Sequence, residues 1–117
     1  MSSPPPVGPY TPVARAGGWL VVSGQVGLIE GALVEGGVEA QTTQALANMA
    51  ALLAGQGASL AHVVKTTVFL RHMWDYAAMN EVYSAAFGEH RPARSTIGVA
   101  SLPLDALVEV EAWAWVG

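Results

Sequence analysis

Leu107-Val-Glu-Val-Glu-Ala-Trp-Ala-Trp-Val116 is the segment that decides how the chain is read. Alternate residues of a strand point to opposite faces, so the segment splits into two rows. Val108, Val110, Ala112, Ala114 and Val116 make a small apolar row suited to lie beneath helices. Leu107, Glu109, Glu111, Trp113 and Trp115 make the other row, two carboxylates beside two tryptophans. That is an odd surface for a monomer and a reasonable one for a subunit interface with a cleft.

The elements before it follow from periodicity and punctuation. Met1 to Gly8 is a Ser- and Pro-rich, loose lead-in, closed by Gly8-Pro9-Tyr10. Val13 to Ala16 and Trp19 to Val26 are expected strands joined through Gly17-Gly18 as a hairpin. Gly24, inside the polar step Ser23-Gly24-Gln25, suggests a bulge or a close approach to the backbone. Gly27 to Gly37 is glycine-rich and irregular, with a brief extended piece at Ala32-Leu33-Val34. Thr42, Ala45, Leu46, Met49, Leu52 and Leu53 then take helical spacing, predicting a helix from Val38 to Ala54 ended by Gly55. Gln41, Gln44, Asn48 and Ala51 fall on its other faces.

Ser59 to His62 is a short connection into a strand, Val63 to Leu70. A second helix over Trp74 to Phe87 carries Tyr76, Met79, Tyr83, Ala86 and Phe87 as its apolar stripe, and Gly88 ends it. A strand follows Pro92, a turn is made at Leu102 to Asp105, and the last strand closes the chain. The order is strand, strand, helix, strand, helix, strand, strand. This is an α/β (α+β) architecture: a mixed sheet, two helices on one face, the other face open.

The 117 residues suit a single domain, 1–117. Hydrophobic residues make up 52% and charged ones only 12%, against about 25% charged in an average domain. A small domain leaves much surface exposed, and association surfaces are depleted in charge, so the composition points to a homo-oligomer. There are no cysteines, which excludes disulfides, thiolate nucleophiles and thiolate metal ligands and fits a cytoplasmic protein. No apolar run is long enough for a membrane span. A net charge of −4 with a single lysine argues against nucleic acid and anionic membranes as partners.

Two of the five basic side chains, Arg91 and Arg94, flank Pro92 at the mouth of a strand. Pro92 cannot donate a ladder hydrogen bond and biases Arg91 toward extended geometry. The planar fork of Arg94 suits a carboxylate or phosphate. Arg94 and Thr96 share a face, about 7 Å apart along the strand. If that strand neighbours the last one, Arg94 can face Glu111 or Glu109. The result is then either a structural ion pair or a ligand site with a free acid for proton transfer. His62, His72 and His90 match no metal spacing and read as surface or capping residues. No nucleophile elbow, dinucleotide fingerprint or phosphate loop is present, and no cofactor is called for. Lys65 reads as a solvated or snorkelling side chain rather than a Schiff-base lysine.

Taken together, Gly8-Pro9-Tyr10, Ser23-Gly24-Gln25, Gln41 with Asn48, Val63 to Leu70, Asn80-Glu-Val-Tyr83, Pro92-Ala-Arg-Ser95, Leu102-Pro103 and Val108-Glu-Val-Glu-Ala112 resemble the RidA family. It is also called YjgF/YER057c/UK114, an endoribonuclease L-PSP-like group. The resemblance implies a chorismate-mutase-like fold assembled as a barrel-like homotrimer, with clefts between subunits. It implies hydrolysis of 2-imino acids or enamines, released by pyridoxal-phosphate enzymes, to 2-keto acids and ammonia. By the same resemblance Arg94 binds the substrate carboxylate and Glu111 positions or activates water. Tyr10, Ser23, Gly24 and Asn80 line or support the cleft, and the Thr96 backbone adds hydrogen bonds. Where the family often has cysteine, after Arg94-Ser95, this chain has Thr96, whose hydroxyl still donates and accepts. His72 replaces a frequent acidic residue, a change expected to be structural. The competing reading is a regulatory trimer that binds small carboxylates without catalysis.

Overall fold

The computed structural model describes residues 8–117, so nearly all of the expected lead-in, Met1 to Gly8, lies outside the described residues. Strands β1 (Val13–Ala16) and β2 (Trp19–Gln25) form the expected hairpin, with Ala16 opposite Trp19 across the two glycines. Gly17 turns the chain at φ 59°, a left-handed value that glycine adopts without cost. The extended piece proves to be half of a small hairpin, β3 (Leu28–Ile29) with β4 (Ala32–Leu33).

Helix α1 spans Gly37–Ala54. It stops where expected, but the reversal comes at Gly57 (φ 77°) and not at Gly55, with Ala58 N–H bonding the Leu53 carbonyl. Strand β5 (Val63–Leu70) follows, then a 3₁₀ turn at Met73–Asp75, and α2 (Tyr76–Phe87) begins two residues later than Trp74. Strands β6 (Ala93–Gly98) and β7 (Val108–Trp115) complete the chain.

The five-stranded sheet runs β1-β2-β7-β5-β6, antiparallel except for the parallel β5–β6 pair. One face carries the core. Leu20, Val22, Val68, Leu70, Val108, Val110, Ala112 and Ala114 are buried there against Leu46, Met49 and Leu53 of α1 and Met79, Tyr83 and Phe87 of α2. In α2 the expected stripe narrows, because Tyr76 and Ala86 are exposed. In α1 it widens, because Gln41 and Asn48 are buried rather than outward.

Burying an amide is costly unless its hydrogen bonds are made. Gln41 Oε1 accepts from Leu107 N–H at 2.8 Å. Asn48 Nδ2 donates to the carbonyls of Val26 (3.3 Å) and Leu28 (3.0 Å), and Gln44 donates to its oxygen at 2.8 Å. The two amides thus fasten α1 to the exit of β2 and the entry of β7, the strand that carries Glu109 and Glu111.

The opposite face is open, as the last strand implied. Trp113 and Trp115 are each 46% exposed and pack edge-on around Trp19, with ring centroids 5.8 and 5.0 Å from it. Truncating a fully buried side chain and an exposed one separates the two faces energetically. Met49→Ala should lower unfolding free energy by about 2–5 kcal/mol, whereas Trp74→Ala, at a residue 80% exposed, should change it by less than ~0.5 kcal/mol. Denaturant titration measures both, and equal effects would contradict this placement of the core.

Candidate functional site

The sheet order corrects the expectation that Arg94 faces Glu111 or Glu109. β5 lies between β6 and β7, so the strands carrying these residues are not neighbours. Arg94 stands opposite Thr66, and Thr66 opposite Ala112, a row on the helix side of the sheet. Glu111 stands opposite Thr67 and Thr67 opposite Ser95, a row on the open side. Period-two alternation therefore puts Arg94 and the carboxylates on opposite faces of one chain.

The helix-side group gathers at the β6 edge. Arg94 and Thr96 do share that face, with Thr96 opposite the buried Val68. Arg94 Nη2 donates to the Tyr76 hydroxyl at 3.0 Å, and its guanidinium carbon lies 4.8 Å from the centroid of the Tyr83 ring and 5.6 Å from that of Tyr76. These contacts hold and aim the fork by cation–π attraction while leaving donors free. Among the described residues the one ion pair is Arg71 with Asp105 at 3.9 Å, so no carboxylate neutralises Arg94.

Asn80, Tyr83, Ser84, Arg91, Pro92 and Arg94 line a cavity of about 340 Å³. The buried Asn80 Oδ1 and Thr96 Oγ1 have no hydrogen-bond partner. The Tyr83 hydroxyl shares a 2.7 Å hydrogen bond with Thr66. Burial raises the Tyr83 pKa above its ordinary 10.0, while the Thr66 bond and the charges of Arg94 and Arg91 pull the other way. As an edge strand, β6 also offers backbone groups that no neighbouring strand takes.

The open-side group centres on the bulge in β2. Register against β7 shifts between Val22 and Gln25, so Ser23 and Gly24 form the irregular step that the glycine suggested. A Cβ on Gly24 would collide with the Glu109 carboxylate. Ser23 is pinned, its hydroxyl donating to the Thr11 carbonyl at 2.7 Å and its N–H to Pro12 at 2.8 Å. That pair of bonds anchors the segment carrying Tyr10, itself 48% exposed. Lys65 is bound into the same face, with Nζ donating to the Thr66 carbonyl and to the Thr67 and Ser95 hydroxyls.

Glu109 is the carboxylate that the sequence reading left in second place. Burial against the bulge, reinforced by the charge of Glu111, raises its pKa above the ordinary 4.5. The signal was present in the alternation of β7, which puts both acids on one face beside a glycine. Sequence reasoning also missed that Tyr76 and Tyr83 clasp Arg94: Tyr76 read as core and is exposed, while Tyr83 is buried in the core as read and faces the cation as well. The histidines play structural parts: His62 closes a capping box with Ser59, His90 Nε2 bonds the Val63 carbonyl at 2.7 Å, and His72 stacks on Trp74.

The family model for endoribonuclease L-PSP matches residues 1–116. The chain belongs to this family, also known as RidA or YjgF. Relatives include a RutC family protein of Pyrococcus horikoshii, 44% identical over 97% of this chain and 92% of its own. A 2-iminobutanoate/2-iminopropanoate deaminase of Mus musculus is 41% identical over 96% of this chain and 84% of its own. The crystal structure of Escherichia coli TdcF with bound serine superposes with a TM-score of 0.93 at 34% identity, covering 98% of this chain and 94% of that one. The fold described above is thus the RidA fold.

Ionised Glu109 is disfavoured in the folded chain, and this has a thermodynamic signature. Between 4.5 and its raised folded value the native state holds the proton more tightly than the unfolded chain, so that contribution to stability grows as pH falls through this window. Glu109→Gln should raise the melting temperature at neutral pH, with the gap closing as pH approaches 4.5. An unchanged melting temperature at neutral pH would contradict the assignment.

Proposed function

We propose that the protein is a deaminase that hydrolyses 2-imino acids and their enamine tautomers, released by pyridoxal-phosphate enzymes, to 2-keto acids and ammonia. The observation that carries this reading is an aimed, unneutralised Arg94 in a cavity also lined by Asn80, whose buried Oδ1 has no hydrogen-bond partner. Buried polar atoms without partners are uncommon in folded chains and suit a ligand that supplies the missing bonds. The names and identities of the relatives support the same chemistry.

On this reading Arg94 holds the substrate carboxylate, and Asn80 and Tyr83 line its cavity. The Thr96 hydroxyl and backbone add hydrogen bonds. Glu109 and Glu111 stand on the opposite sheet face, so the site is completed by a neighbouring copy, with the open faces packed together in a homotrimer. There Glu111 positions the water and Glu109, with its raised pKa, takes and returns protons, while Tyr10, Ser23 and Gly24 shape the wall. Water adds to the C=N carbon, the carbon–nitrogen bond breaks, and the nitrogen leaves as ammonia.

The work asked of the protein is orientation and proton transfer, since imines already hydrolyse in water. No step calls for a metal or an organic cofactor. A chain without cysteine suits the reducing cytoplasm, where such imines arise.

Adding the protein to a threonine dehydratase assay should accelerate 2-oxobutanoate formation. Arg94→Ala should lower kcat/KM by about a hundredfold or more, the loss of a charge-assisted, two-pronged contact. The acid limb of the rate profile should lie above pH 4.5, because Glu109 must shed its proton first. Small keto acids raising the melting temperature without any acceleration would replace this reading with a carboxylate-binding regulator.

A further inference from the structure

The chain has five basic side chains in all, and two of them, Arg91 and Arg94, line the same 340 Å³ cavity. The deaminase reading uses only Arg94. Arg91 donates to the Gly88 carbonyl and has no carboxylate partner among the described residues. One such bond leaves most of its five donors unassigned. The charges of both arginines reach the Tyr83 hydroxyl, so they act on one small space.

Pro92 lies between them, and its ring fixes the backbone that sets their separation. In a chain of net charge −4, two unneutralised guanidiniums and no acid around one cavity form a local excess of positive charge. A monocarboxylate compensates half of it, while a substrate with a second acidic group compensates both.

We infer that Arg91 is a specificity-determining residue that binds a side-chain carboxylate, so that the Arg94 site favours imines of acidic amino acids over those of apolar ones. The inference rests on the deaminase reading for its reaction, with the same balance: water and the imine give a 2-oxo dicarboxylate and ammonia. Ser84, on the same wall, is a neutral donor. The chemistry upstream is therefore an oxidation or elimination that leaves an imine on a dicarboxylic acid.

The test compares full-length wild type, Arg91→Gln and Arg91→Lys on two imines made in situ. These are 2-iminosuccinate from an aspartate oxidase and 2-iminobutanoate from a threonine dehydratase. The dicarboxylate-to-monocarboxylate ratio of kcat/KM should favour the dicarboxylate in wild type and fall about tenfold or more in Arg91→Gln. Arg91→Lys should restore part of it. A ratio that is the same in wild type and Arg91→Gln overturns the inference. Binding of 2-oxoglutarate and 2-oxobutanoate, measured calorimetrically, separates the two proposals. If neither imine is accelerated while an Arg91-dependent preference for 2-oxoglutarate persists, the deaminase reading fails and the specificity assignment stands. Equal binding of both keto acids, or equally strong competition by inorganic phosphate, overturns the assignment to a side-chain carboxylate.

Discussion

β5 lies between β6 and β7, and the rest of the site depends on that placement. Strand alternation is rigid: once Thr66 pairs with both Arg94 and Ala112, Arg94 must share the helix side with buried Ala112, and Glu111 must take the other. No rotamer change carries a guanidinium through a sheet. The cation and the acids can meet around one substrate only if a second copy brings its open face to the β6 edge of the first. This is why the proposed chemistry and the proposed trimer stand or fall together.

The composition fits the same constraint. An exposed sheet face with Trp19, Trp113 and Trp115 clustered on it is a surface that water tolerates poorly, and it lies next to two carboxylates, one with its pKa raised by burial. Packing such a face against a neighbour removes aromatic area from water and leaves the acids in a drier setting. There the proton affinity of Glu109 rises further. Gly24 has a specific part in this. A side chain there would occupy the space of the Glu109 carboxylate, so the bulge and the glycine together leave room for that acid.

Much of the fold was legible because local signals agreed with one another. The Gly17-Gly18 hairpin, the buried row of β7, the helix over α1 and the entry through Pro92 all follow from turn chemistry and periodicity. Strand order was not legible, since pairing β6 with β5 rather than β7 joins segments remote in sequence and leaves no local mark. Gln41 and Asn48 were misplaced because polarity argues for exposure, whereas an amide long enough to reach strand-end carbonyls and amides is satisfied when buried. Tyr83 was half legible: its spacing announced a core residue, and only the Arg94 register revealed that its ring also faces a cation. The family resemblance supplied the proposed reaction, and the register supplied the reason that the proposed site needs two copies of the chain.

The most direct measurement is subunit complementation. Arg94→Ala and Glu109→Gln chains, each weak as a pure assembly, are unfolded together, refolded as a mixture and assayed for imine hydrolysis. If each site draws its arginine from one copy and its carboxylate from the next, mixed assemblies contain some intact sites and recover about a quarter of wild-type activity. Activity no higher than the mean of the two pure variants, in a mixture shown to contain hybrid assemblies, would contradict a site shared between copies.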